Sequence, residues 1–205
     1  MPLRIAFVCF LASLALSAEV TTDVKVDTPQ ARAVVATLQP HQRNPAVEHP
    51  MNRVLVYLTP GQMTRTNAAG KAEKIAFKAG DVRWSPAGAG YVTENMTDHA
   101  IRIAEVELKN AAPRPPMPTT KLDPTVADAN HYKVELENDQ VRVLRVHYGA
   151  HESGSKHEHI LNRVVVYVTD QSNGKAGEVH ISGAMTHGEE NTLDQPVERI
   201  AVELK

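Results

Sequence analysis

The 205-residue chain contains one cysteine, few aromatic residues and no excess of basic charge. Cys9 lies in the N-terminal segment, and a chain that loses this segment has neither a disulfide nor a reactive thiolate. Aromatic residues make up 4% of the chain, too few for a surface that stacks nucleic-acid bases. Because 22 lysines and arginines stand against 24 aspartates and glutamates, no basic surplus exists to neutralise a row of phosphates. We therefore predict no nucleic-acid partner.

Long hydrophobic runs are also scarce, and the one at the N-terminus is short. The apolar run of residues 5–16 follows the basic residue Arg4 and precedes the small residues Ser17 and Ala18. It is too short for a comfortable membrane span, and its flanks are those of a cleavable secretory signal peptide. We predict a signal peptide over residues 1–18, with an uncleaved anchor helix as the alternative. The mature protein is then periplasmic or secreted, with no membrane association after cleavage.

The chain contains two copies of one sequence unit. Residues 159–169 repeat residues 49–59 with seven of eleven positions identical, at an offset of 110. Farther along, residues 202–205 repeat residues 106–109 at an offset of 96, so the second copy is 14 residues shorter. We expect much of this shortfall opposite residues 81–88 of the first copy. Internal repetition of this kind indicates two structural units of the same fold.

The two copies and a spacer account for the length of the chain. They define an N-terminal unit over residues 24–109 and a C-terminal unit over residues 131–205. Five prolines within residues 110–124 favour an extended spacer that joins neither core, which we place at residues 110–130. In both units, short β-branched runs such as residues 164–169 alternate with glycine and proline turns, and no helical period is evident. This pattern predicts an all-β sandwich or barrel.

Histidine is the residue that stands out, because seven of the ten histidines lie between residues 131 and 187. His157 and His159 are two positions apart, and side chains with this spacing share one face of a strand. Two imidazoles on an interior face suit a divalent metal whose third ligand comes from another strand, and His187 is the natural candidate. His151, in the loop before His157, is a candidate fourth ligand, general base or hydrogen-bond partner of a ligand. The alternative for His151 is a surface-loop histidine.

The segment from Gly149 to His159, the downstream His187 and the internal duplication together resemble the cupin superfamily, over nearly the whole mature chain. The resemblance implies two tandem small β-barrels of the jelly-roll or double-stranded β-helix type, the second shortened in its middle. It also implies a divalent transition metal (Fe, Zn, Mn, Ni or Cu) held by His157, His159 and His187. For an enzyme, it implies dioxygenase-like oxidation of a small organic molecule, or otherwise isomerase or lyase chemistry.

One departure from the family pattern concerns charge. The residue four positions after His159 is Arg163, where the pattern often has a glutamate ligand. Three neutral imidazoles can still hold a transition metal. Arg163 and its counterpart Arg53 are candidate ligand-binding residues, because the guanidinium fork suits bidentate contact with a carboxylate or phosphate. The alternative is a structural role in both units, such as an ion pair with Glu48 or Glu158.

The N-terminal unit is the weaker metal candidate. Val47 and Tyr91 stand where the C-terminal unit has two of its histidines, and only His49, with His41 nearby, remains. One or two imidazoles without a third ligand make a poor metal site. We predict a structural unit, or an apolar ligand pocket that Trp84 and Tyr91 line, with core packing of both side chains as the alternative.

Three functions remain open from the sequence. The first is a secreted metal-dependent oxygenase that acts on a small organic molecule. The second is a non-enzymatic module that binds a small ligand near Arg53 or Arg163. The third is a degenerate structural protein, which the altered residues of the N-terminal unit and the shortened second copy favour. Cupins often pair their barrels, and two units in one chain satisfy that pairing within a monomer, with a homodimer as the alternative.

Overall fold

The computed structural model describes residues 20–109 and 120–205. The predicted signal peptide and residues 110–119 of the predicted spacer lie outside the described residues. Within the described ranges the chain is nearly all-β, and no helix there is long and apolar enough to cross a membrane. The all-β class and the two tandem units are therefore confirmed.

The N-terminal unit consists of nine strands in two antiparallel sheets. The five-stranded sheet has the order β1-β2-β9-β4-β7, and the four-stranded sheet has the order β3-β8-β5-β6. The strands are β1 (Thr21–Asp27), β2 (Ala31–Leu38), β3 (Arg43–Asn44), β4 (Arg53–Tyr57), β5 (Gly61–Thr66), β6 (Ala72–Phe77), β7 (Val82–Ser85), β8 (Val92–Asn95) and β9 (Ile101–Leu108).

The C-terminal unit repeats this plan with seven strands. Its five-stranded sheet has the order β10-β11-β16-β13-β14, and its second sheet contains only β12 and β15. Each unit is thus a two-sheet jelly roll rather than one closed barrel. The elements are α1 (Pro124–Ala127), β10 (Tyr132–Glu137), β11 (Val141–Tyr148), β12 (His157–His159), β13 (Arg163–Tyr167), β14 (Val179–Ser182), β15 (Met185–His187) and β16 (Val197–Leu204).

The 14-residue shortfall of the second copy corresponds to a missing hairpin. Strand β14 pairs with β13 as β7 pairs with β4, and the turns before β7 and β14 carry equivalent glycines, Gly80 and Gly177, both at φ +85°. Residues 82–85 therefore keep a counterpart, and the expectation that the shortfall lies opposite residues 81–88 is wrong. The hairpin β5–β6 of the N-terminal unit is the part that has no counterpart in the C-terminal unit. Its loss reduces the second sheet from four strands to two.

The missing hairpin changes what fills the interior. In the N-terminal unit, Phe77 of β6 stacks on Tyr57 with ring centroids 3.9 Å apart, and Met63 and Ile75 complete an apolar cluster between the sheets. In the C-terminal unit, the counterpart Tyr167 lines a cavity instead. The N-terminal interior is thus packed with side chains, whereas the C-terminal interior keeps room for a ligand.

The two units share one hydrophobic core. Alternation along each five-stranded sheet directs one set of β-branched residues away from its own unit's interior, and the two sets pack together, with Val54, Val106, Val164 and Val202 all fully buried. Reciprocal hydrogen bonds flank this core. The Asn52 side chain donates to Gln140 at 2.5 Å, and its repeat partner Asn162 donates to Gln30 at 2.7 Å. The contact is therefore close to two-fold symmetric, as in an isologous dimer.

Residues 120–130, which belong to the predicted spacer, pack against the C-terminal unit. Asp123 caps α1 through the Thr125 amide and forms an ion pair with Arg142 at 2.7 Å. Asp128 accepts hydrogen bonds from Tyr148 at 2.7 Å and from His131 at 2.6 Å. These carboxylates attach the segment to β11 in the five-stranded sheet of the C-terminal unit, so it is part of that unit and not of a free spacer.

Candidate metal centre

The structure brings together the three histidines that the sequence pattern selects. His157 and His159 lie on β12 with their side chains buried in the interior, and β15 pairs with β12 so that His187 lies directly opposite His157. One ligand atom from each imidazole lies within 4.8 Å of the other two. Three imidazoles that converge from two strands are a donor set for a transition metal.

The δ nitrogens of His157 and His159 have hydrogen-bond partners, and the ε nitrogens of His157 and His187 are available to bind an ion. His157 Nδ1 lies 2.8 Å from the Ser155 carbonyl oxygen, which can only accept, so this nitrogen carries the proton. His159 Nδ1 lies 3.1 Å from a carboxylate oxygen of Glu203. The Nε2 atoms of His157 and His187 are buried and have no partner among the described residues. Buried imidazole nitrogens without a partner are costly unless something binds them, and a metal ion fits this arrangement.

A row of hydrogen-bonded charged side chains ends at His159. Glu203 is buried on β16 and accepts a hydrogen bond from Arg142 at 2.6 Å, while Arg142 also pairs with Asp123. Burial disfavours the ionised form of Glu203, but hydrogen bonds from His159 and Arg142 outweigh this effect and lower its pKa. An ionised Glu203 fixes the ring orientation of His159 and increases its basicity toward a metal.

The electrostatic environment keeps the three imidazoles neutral. Burial lowers the pKa of His157 and of His159. Burial, followed by the charges of His157 and His159 and of the nearby arginines, lowers the pKa of His187 to about 4. Neutral imidazole is the form that coordinates metal ions, so the cluster needs no proton release at neutral pH.

A cavity of about 200 Å³ adjoins His159 and His187. It lies where the N-terminal unit has the apolar contacts of β5 and β6. Its surface is mostly polar. Further side chains that line it are Tyr132, Arg163, Tyr167, His180, Glu189 and Arg199.

The structure places the remaining predicted site residues as follows. Arg163 lines the cavity, and its Nη1 donates to the Gly183 carbonyl at 2.7 Å, whereas Glu158 turns away and accepts a hydrogen bond from Thr120 at 2.6 Å. His151 is exposed, adopts a positive φ of 57° and lies 2.8 Å from Asp194, so it is not part of the histidine cluster.

Among the described residues of the N-terminal unit, the predicted ligand-binding residues Arg53, Tyr91 and Trp84 do not line an interior pocket together. Arg53 is buried and paired with Glu105 rather than with Glu48. Tyr91 is exposed, with the Arg65 guanidinium 4.7 Å from its ring centroid, so it does not line an interior pocket. Trp84 packs against the shared core.

Sequence reasoning missed several residues of the site. In the sequence, Glu203 is noted only as part of the repeated segment at residues 202–205. Its charge within an otherwise apolar strand is the feature that could have indicated a role in the site. Arg142 and Asp123 gave no signal, because their roles depend on pairing across 61 and 19 residues of chain. His180 was assigned no role, yet it lines the cavity against Tyr167.

Comparison with solved structures finds the same architecture in other proteins. AerE from Microcystis aeruginosa matches with a TM-score of 0.66 at 10% identity, over 94% of this chain and 95% of that one. A cupin 2 conserved barrel domain protein from Leptotrichia buccalis matches with a TM-score of 0.58 at 16% identity, over 93% and 91% of the two chains. Oxalate decarboxylase from Bacillus subtilis matches with a TM-score of 0.58 at 12% identity, over 86% and 68%. No protein-family model and no curated protein sequence matches this chain.

Proposed function

Since the chain has the cupin fold in two tandem units, we propose that its C-terminal unit binds one divalent transition metal through His157, His159 and His187. We further propose that the protein is a metal-dependent oxygenase acting on a small organic molecule. The observation that carries the proposal is the pair of buried, unpartnered Nε2 atoms on His157 and His187. Among proteins of this fold, the oxalate decarboxylase of Bacillus subtilis has Mn(II) centres, so manganese belongs among the metals to test beside iron, zinc, nickel and copper.

The protein's own residues would prepare the site in three ways. The Ser155 carbonyl and the Glu203 carboxylate engage the δ nitrogens of His157 and His159 and so fix the orientation of the two rings. Tyr132 packs against both rings at centroid distances of 4.6 and 5.7 Å and restricts their rotation. The adjoining cavity admits a small molecule beside the cluster. A bound metal with three neutral ligands would supply open coordination positions and Lewis acidity.

Elemental analysis of the mature protein, residues 19–205 without a histidine tag, tests the metal centre. We expect about one equivalent of a transition metal per chain, which the His157→Ala/His159→Ala variant loses because a single remaining imidazole is a poor site. The matched control is His41→Ala/His49→Ala in the N-terminal unit, which is expected to keep the metal.

Oxygen-consumption screens on the loaded protein then test the oxygenase. Metal-dependent oxygen uptake supports it. Absence of metal in the wild type even after reloading would overturn the metal centre and leave a non-enzymatic ligand-binding or degenerate structural protein.

We also propose that the protein is exported to the periplasm or secreted. Support comes from the short apolar run of residues 5–16 between Arg4 and the small residues Ser17 and Ala18. The mass of the protein recovered from its native cells is expected to lack the first 18 residues, and an intact N-terminus would contradict export by cleavage.

A further inference from the structure

The repeat provides an internal comparison for Arg163. Arg53 occupies the same position on β4 as Arg163 on β13. The carboxylate of Glu105 binds Arg53 at 2.7 Å, and Ser85 accepts a second hydrogen bond at 3.1 Å. Glu105 lies opposite Leu55 in the N-terminal sheet. At the matching place in the C-terminal sheet, opposite Val165, the chain has Ala201.

Because Ala201 stands where the N-terminal unit has Glu105, the guanidinium of Arg163 has no carboxylate paired with it. Arg163 is 5% exposed, and within residues 20–109 and 120–205 no carboxylate oxygen lies within 4.0 Å of it. Its one hydrogen bond in those ranges goes to the Gly183 carbonyl, although a guanidinium has five N–H donors. Glu203 faces Arg163 across the strand pair, but Arg142 and His159 occupy both of its oxygens.

The other cation of the cavity is already neutralised. Arg199 forms an ion pair with Glu189, which also accepts a hydrogen bond from Tyr132. The unneutralised positive charge of the cavity therefore lies on Arg163, on the same interior surface as His159 and His187. A buried cation with no anionic partner is unfavourable, and an anion that enters the cavity would remove this cost.

We propose that Arg163 is the carboxylate-binding group of the cavity and that the natural ligand is a small organic carboxylate held between Arg163 and the three histidines. This inference rests on the proposed function, because it names the class of molecule that the same site would act on. The guanidinium fork matches a carboxylate in two parallel hydrogen bonds. The Glu105 carboxylate binds Arg53 in the N-terminal unit, and the ligand carboxylate would bind Arg163 in the equivalent position of the C-terminal unit.

Calorimetric titration of malonate into metal-free protein tests the proposal, with sodium chloride at matched ionic strength as the blank. Arg163→Gln is expected to weaken malonate binding about tenfold or more, because a hydrogen-bonded charge pair is lost. Ala201→Glu restores the carboxylate of the N-terminal unit beside Arg163, and it is expected to weaken binding to a similar extent without removing any donor. Arg53→Gln is the matched control and is expected to leave malonate affinity unchanged.

The outcomes separate this inference from the proposed metal centre. If Ala201→Glu and Arg163→Gln fold and bind malonate within about twofold of the wild type, the carboxylate site is overturned. If the wild type holds no metal but its malonate binding depends on Arg163, the carboxylate site stands and the metal centre falls. Circular dichroism of each variant reports whether it is folded, and Ala201→Glu keeps the test decisive should Arg163→Gln fail to fold.

Discussion

Replacing Glu203 with glutamine is expected to weaken metal binding about 10- to 100-fold and to destabilise the fold by about 3 kcal/mol. The carboxylate is 1% exposed and binds both His159 and Arg142. Glutamine keeps the shape but removes the charge, so the His159 ring becomes less basic and less firmly oriented. The expected loss of stability is at the lower end of the range for a broken buried ion pair, because Asp123 still pairs with Arg142. Competition with a chelator measures the first effect, and urea unfolding of metal-free protein measures the second.

The N-terminal unit offers the matched control for this substitution. Glu107 is the repeat counterpart of Glu203, and it pairs with Arg32 at 3.0 Å as Glu203 pairs with Arg142. Because the Arg32 side chain is 35% exposed, Glu107→Gln is expected to cost less than about 1 kcal/mol. It is also expected to leave metal affinity unchanged. Equal losses of metal affinity in the two variants would show that Glu203 does not act on the metal through His159.

Replacing Ile200 with alanine is expected to lower the free energy of unfolding by about 2–5 kcal/mol, the range for large-to-small changes in a packed core. Ile200 is fully buried in the core that the two units share. Because the units have this core in common, we expect them to unfold in one transition. Trp84, the single tryptophan, lies in the N-terminal unit and packs against the same core, so its fluorescence reports a change made in the other unit.

The measurement is urea unfolding followed both by Trp84 fluorescence and by far-ultraviolet circular dichroism. Both curves are expected to shift together in Ile200→Ala. The exposed Ile181 of β14 supplies the control, and Ile181→Ala is expected to change stability by about 0.5 kcal/mol or less. A Trp84 curve that stays at its wild-type midpoint while the circular dichroism curve shifts would show that the units unfold independently.

The sequence predicted those features of the candidate site that depend on local periodicity. The two-residue spacing of His157 and His159 places both side chains on one face of any strand, whatever its neighbours. The duplication predicted two units, and β-branched runs between turn residues predicted strands. His187 was selected by its place before the last strand, and strand β15 indeed sets it opposite His157.

The sequence was a poor guide where the answer depended on strand register. It did not show that Arg53 pairs with Glu105, because these residues meet only through the pairing of β4 with β9. Its placement of the shortfall opposite residues 81–88 had a different cause, because it overlooked the identity of residues 78–80 with residues 175–177, which marks β14 as the counterpart of β7. It also treated residues 120–130 as spacer, although Asp123 and Asp128 anchor them to the C-terminal unit.

The amino-acid sequence by itself determined the all-β class, the duplication and the pair of imidazoles on one strand, because alternation and repetition are properties of the chain. Only the tertiary structure decided what surrounds those imidazoles. Glu203 reaches His159 across 44 residues, and the loss of hairpin β5–β6 opens the cavity beside it. Ala201 leaves Arg163 without the carboxylate that its counterpart has. These relations arise because long-range strand pairing, rather than sequence spacing, sets which buried charges meet.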